Sequence, residues 1–73
     1  MRDAGTIRER IFQALIQRYK ADGESALVKI DALIRGEVLR GHEDVMGSID
    51  KQIAKVAFAE EKMATLKRYY GMN

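Results

Sequence analysis

A stripe of apolar and small residues runs through the first half of the chain with alternating spacings of four and three. Because an α-helix has 3.6 residues per turn, this spacing places all the members on one helical face. A helix with one apolar stripe buries it against another element. The stripe consists of Phe12, Ile16, Tyr19, Gly23, Ala26, Ile30 and Leu33.

The predicted first helix spans about residues 6–35. Thr6 and Glu9 have the spacing of a capping box, in which each side chain bonds the other residue's backbone amide. Gly23 lies inside this span, although glycine within a helix costs about 1 kcal/mol relative to alanine. Since the stripe keeps its phase across Gly23, we expect one continuous helix. The alternative is a turn near Gly23 and three helices in all.

The stripe is lost at a pair of glycines, which predicts a loop over about residues 36–42. A second helix is predicted over about residues 43–70. Acidic Glu43–Asp44 suit its first turn, basic Lys67–Arg68 suit its last turn, and Gly71 is placed as a C-terminal cap. The expected buried stripe of this helix is Val45, Ile49, Ile53, Val56, Ala59, Met63, Leu66 and Tyr70.

Two long helices joined by a short loop predict an all-α fold, an antiparallel helical hairpin forming one domain over residues 1–73. A core of this size seldom supplies more than about 3–5 kcal/mol of net stability, and without cysteine no disulfide adds to it. We therefore expect self-association into a helical bundle, with a dimer favoured. The predicted self-association core is Ile16, Tyr19, Ile30, Leu33, Ile49, Ile53, Val56 and Met63.

The sequence contains few residues that could carry chemistry: one histidine, two serines and no cysteine. His42 falls in the predicted loop, where a polar residue needs no catalytic role. Glu60 and Glu61 are adjacent, so on a helix they point about 100° apart and do not act as a pair. We predict no catalytic residue, no metal site and no cofactor, and hence no enzyme.

Aromatic and basic residues share the outer face of the second helix, away from its stripe. Three interpretations remain open: a solvated or oligomer-packing face, a surface for a partner protein, or a nucleic-acid surface that stacks bases and neutralises phosphates. A formal net charge of only +2 makes nucleic acid the least favoured of the three. The partner-binding candidates are Lys51, Lys55, Phe58, Lys62 and Tyr69.

No part of the sequence predicts a membrane location. The longest uncharged run, residues 11–17, is far shorter than the roughly 20 apolar residues of a membrane span. The polar N-terminal segment does not have the pattern of a signal peptide. We expect no membrane association and a cytoplasmic protein.

Four segments of the chain are similar to a known group of proteins. They are residues 29–34 (KIDALI), 41–45 (GHEDV), 49–51 (IDK) and 59–63 (AEEKM). Together they resemble small uncharacterised helical-hairpin proteins of large tailed bacteriophages, over roughly residues 26–70. The resemblance implies an uninterrupted first helix, a loop at the same place and no particular activity. A phage origin would place the protein in the host cytoplasm or in the virion.

Overall fold

The computed structural model describes residues 4–36 and 44–71, with the side chains of residues 7–36 and 44–71. These residues form two helices, α1 (Ala4–Arg35, 32 residues) and α2 (Val45–Tyr70, 26 residues). The helices are antiparallel, because the Phe12 ring near the start of α1 lies 5.6 Å from the Tyr70 ring at the end of α2. The predicted all-α helical hairpin is confirmed.

Helix α1 is continuous through Gly23, so the alternative of three helices is wrong. A Cβ atom placed on Gly23 would lie 3.7 Å from the Cβ atom of Ala59, so the two helices approach closely here. The start of α1 differs from the prediction. The helix already includes Ala4, so Thr6 lies inside it and is not the N-terminal cap.

Both ends of α2 are capped by residues next to it. The Asp44 carboxylate accepts a hydrogen bond of 3.0 Å from the Gly47 N–H, which satisfies one amide of the first turn. At the other end Gly71 adopts a left-handed conformation with φ 70° and ψ 22°, and its N–H donates to the Lys67 carbonyl oxygen at 3.1 Å. The predicted cap at Gly71 is confirmed, and α2 begins at Val45.

Helix α1 ends at a glycine with a similar conformation. Gly36 has φ 80°, and its N–H donates to the Leu33 carbonyl oxygen at 3.1 Å. The remainder of the predicted loop, including His42 and Glu43, lies outside the described residues.

The helices meet along a seam that contains the whole predicted stripe of α1, each member being buried or half-buried. In α2 the prediction is wrong at two positions, Ile53 and the terminal Tyr70, which is 53% exposed although its ring lies 5.6 Å from the Phe12 ring. Ile53 is 51% exposed, and the half-buried Gln52 stands at the seam between Ile49 and Val56. Gln52 and Ile53 both continue a helical spacing from Ile49, by three and by four residues, and the packing of α2 on α1 turns Gln52 to the seam, with Ile53 about 100° further round the helix. The buried described residues are Ile16, Ala26, Ala59 and Leu66.

The molecule is a thin, elongated layer measuring 58 × 22 × 14 Å. Its radius of gyration is 16.6 Å, whereas a compact domain of this length has about 11 Å. Two helices side by side have a seam but no enclosed interior. Most side chains of the hairpin therefore remain in contact with solvent.

Candidate functional site

One side of the seam carries a groove lined mainly by apolar atoms, which we call the apolar groove. It has a volume of about 390 Å³. Leu27 from α1 and Met63 and Val56 from α2 supply its large side chains, and Gly23 and Ala59 let the groove reach down to the seam. The described residues that line it are Tyr19, Lys20, Gly23, Glu24, Leu27, Val56, Ala59, Glu60 and Met63.

The same side remains apolar beyond the groove, towards the ends of the helices near the loop. Ile34 follows Leu27 by two turns of α1, and Ile53 and Met46 precede Glu60 by two and four turns of α2, so each lies on the side that contributes to the groove. These four large side chains are exposed to 47% (Leu27), 68% (Ile34), 51% (Ile53) and 81% (Met46). We call Leu27, Ile34, Met46 and Ile53 the apolar face.

The charges that line the apolar groove nearly cancel. Lys20 lies on the α1 wall with Glu24, and Glu60 lies on the α2 wall. The groove therefore carries one formal positive and two formal negative charges. A surface of this kind does not strongly repel a copy of itself, because charges at the rim of an interface are largely solvated and contribute little.

The opposite side of the seam carries a different groove, which we call the basic groove. Lys55 and Lys62 of α2 face Lys29 of α1 across it, and Asp22 is the single acidic residue among the described residues of its lining. Three positive charges against one negative charge give these residues a formal charge of +2 at a site of about 290 Å³. The described residues that line it are Asp22, Ser25, Ala26, Lys29, Gln52, Lys55, Phe58 and Lys62.

Phe58 forms the aromatic part of the basic groove. Its side chain is 66% exposed, which is unusual for a phenylalanine. The Lys62 ammonium lies 5.1 Å from the centre of the Phe58 ring and 5.5 Å from the centre of the Tyr19 ring. Both distances are within the range of a cation–π interaction. These interactions hold Lys62 beside the ring rather than extended into solvent.

The structure brings three of the five partner-binding candidates together, since Lys55, Phe58 and Lys62 line the basic groove. Lys51 and Tyr69 are exposed on α2 but do not line it. Tyr69 follows Phe58 by about 16 Å along the helix, at 1.5 Å per residue, and the Arg68 guanidinium covers its ring at 5.7 Å. Whether any of the five binds a partner stays a prediction.

Sequence reasoning missed the contribution of α1 to the basic groove, namely Lys29, Asp22 and Ser25. The prediction considered the outer face of α2 alone. Lys29 and Asp22 are seven residues apart and lie beside the α1 stripe. This spacing indicates that they share one side of α1, next to the seam. Which wall of α2 they face depends on how the two helices pair.

The described side chains do not form a metal site, because no three histidine, aspartate or glutamate side chains in residues 7–36 and 44–71 come together as ligands. Neither α1 nor α2 contains a stretch with the length and hydropathy that a bilayer crossing requires.

Comparisons with protein families, with curated proteins and with solved structures find no match to this chain. The resemblance to phage helical-hairpin proteins stays a prediction.

Proposed function

We propose that this protein is a small non-enzymatic interaction module that works as a homodimer, in which the apolar faces of two hairpins pack together into a four-helix bundle. The observation that carries this proposal is the exposure of four large apolar side chains on one side of the hairpin. Leu27 is 47% exposed, Ile34 68%, Met46 81% and Ile53 51%.

Each partner in a standard-sized complex buries about 800 Å², and a second copy would cover this face. Burial within one hairpin is poor. Two of the four buried described residues, Ala26 and Ala59, are alanines that bury little area. A second layer of helices would convert the 14 Å thick hairpin into a bundle with an interior.

A second copy is the occupant that fits the apolar face best. A two-fold axis places the same patch on both sides of the interface, so an apolar surface is complementary to itself. The exposed Asp44 and Asp50, beside Met46 and Ile53, lie at its solvated rim. Lys20 and Glu60 are on opposite walls of the apolar groove. Packing α1 of one hairpin on α2 of the other brings both Lys20 and Glu24 towards Glu60, at a solvated rim where attraction and repulsion each contribute little. The basic grooves point outward in this arrangement and remain free for a partner.

Sedimentation equilibrium over about 1–100 μM chain, the range in which micromolar association is detected, tests the proposal. We expect twice the chain mass for the wild type. Leu27→Glu and Ile53→Glu are expected to reduce the mass to that of one chain, because a carboxylate in an apolar interface loses its hydration. Val28→Glu is the matched control, since Val28 is 65% exposed and lies about 100° round α1 from Leu27.

Circular dichroism of the same samples separates the outcomes. The proposal is supported if the Leu27 and Ile53 variants lose the dimer mass, with or without loss of helix content. The Val28 variant must then keep both the dimer mass and the helix content of the wild type. A wild type with the mass of one chain throughout the range, or of an assembly larger than two chains, overturns it. Variants of Leu27 and Ile53 that remain dimeric also overturn it, because they would exclude the apolar face from the interface.

A further inference from the structure

We infer that the basic groove binds single-stranded nucleic acid, with a base stacked on Phe58 and phosphates held by Lys29, Lys55 and Lys62. This inference is independent of dimer formation, because one hairpin supplies every residue of the groove. The argument starts from charge. Although the whole chain carries a formal charge of only +2, the eight residues of the groove carry the same +2 between them.

The arrangement of the lysines suits a chain of phosphates. Lys55 and Lys62 are seven residues apart, so they lie about 10 Å from each other along the same side of α2. Lys29 stands on the opposite wall, on α1. Three ammonium groups distributed over two walls contact successive charges of an extended polyanion better than they contact one compact anion.

The exposed ring distinguishes among polyanions. Phe58 presents its side chain to solvent at 66% exposure, between Lys55 and Lys62 in the sequence and within the same groove. Flat apolar rings next to regularly spaced negative charges occur in single-stranded nucleic acid, and base–aromatic stacking is a general mode of its recognition. In a duplex the base faces are covered by their neighbours in the stack, so Phe58 would have no base to contact. An acidic peptide would occupy the lysines without requiring an exposed ring.

Fluorescence anisotropy with a labelled 15-nucleotide oligo-dT tests the inference. Three lysine contacts predict that the logarithm of the binding constant falls with the logarithm of salt concentration with a slope of about −2. Removing two of the contacts in Lys55→Gln/Lys62→Gln should reduce the slope to about −0.7. The matched control is Arg10→Gln/Lys67→Gln, which removes the same charge from exposed positions outside the groove and should preserve the slope.

Phe58→Ala separates stacking from charge. It should weaken binding about tenfold with an unchanged salt slope, because a stacked base is lost while Lys29, Lys55 and Lys62 keep their charges, although Lys62 loses its contact with the ring. Phe58 is largely exposed, so the variant is expected to fold, and circular dichroism checks this.

Four results would overturn the inference. The first is no binding of oligo-dT at about 25 mM salt, where electrostatic attraction is only weakly screened, and the second is an equal loss of affinity in the Lys55/Lys62 and Arg10/Lys67 variants. The third is equal affinity for oligo-dT and for a 15-base-pair duplex. The fourth is displacement of oligo-dT by an oligo-glutamate peptide at equal charge concentration. The last result would assign the groove to acidic proteins. None of these outcomes depends on the mass measured by sedimentation. Failure of the dimer proposal can therefore be distinguished from failure of this inference.

Discussion

Gly23 and Gly71 differ in whether the backbone at their position requires a glycine. Gly23 has an ordinary helical backbone, and a Cβ atom there would make a van der Waals contact of 3.7 Å with Ala59. Gly71 has φ 70°, a conformation that costs a residue with a side chain about 1–2 kcal/mol. Glycine is therefore required by the backbone at Gly71, and at Gly23 it only keeps the helices close.

The same substitution should consequently change stability in opposite directions at these positions. Gly23→Ala should increase the free energy of unfolding by about 0.5–1 kcal/mol, because it removes the penalty of a helical glycine without a clash. Gly71→Ala should decrease it by about 1 kcal/mol. Urea denaturation of both variants at one protein concentration measures the two changes. A destabilised Gly23→Ala protein would mean that the seam has no room for a methyl group.

The register of α2 on α1 decides which side of each helix is buried. It places the amide group of Gln52 at the seam, where its Oε1 atom is inaccessible to solvent and has no hydrogen-bond partner among the described residues. A buried acceptor without a partner costs about 1–3 kcal/mol. Ile53, which the periodicity of large apolar residues had placed at the seam, instead extends the apolar face.

Gln52→Met should therefore stabilise the hairpin by about 1 kcal/mol, since methionine has a similar length and introduces no strong acceptor. The matched control is Gln17→Met on the exposed surface of α1, which should change the free energy of unfolding by less than about 0.5 kcal/mol. Thermal and urea denaturation of the two variants measure the changes in the free energy of unfolding. Destabilisation by Gln52→Met would show that the amide has a partner that stabilises the fold.

For the whole molecule, folding and association should be one process. The hairpin alone is 14 Å thick and buries four of the described residues, so much of the stabilisation must come from the second copy if the proposed dimer forms. A dimer whose chains do not fold alone unfolds into separate chains, so its free energy of unfolding depends on the protein concentration.

The melting temperature should rise by about 4 °C for each tenfold increase in concentration, which corresponds to about 1.4 kcal/mol per dimer. Circular dichroism melts from about 2 to 200 μM measure this shift. Ile53→Glu should melt at a lower temperature that no longer depends on concentration. A wild-type melting temperature that is constant over this range would contradict coupled folding and association.

Local signals in the sequence were sufficient for the two helices, for the continuity of α1 through Gly23, for the buried stripe of α1 and for the cap at Gly71. Each depends on the periodicity or backbone preference of residues close together in the chain, and these act before the helices meet. The start of α1 was less well predicted, because the capping pattern at Thr6 competes with a helical backbone that already includes Ala4.

Only the tertiary structure decided that Gln52 rather than Ile53 stands at the seam, and that Lys29 of α1 completes the groove of Lys55 and Lys62. Both results depend on the rotation and register of one helix against the other. Close packing of side chains sets that register between segments far apart in the sequence, as where Gly23 meets Ala59. Periodicity within a single helix specifies a buried face but leaves open which residues of the other helix lie beside it.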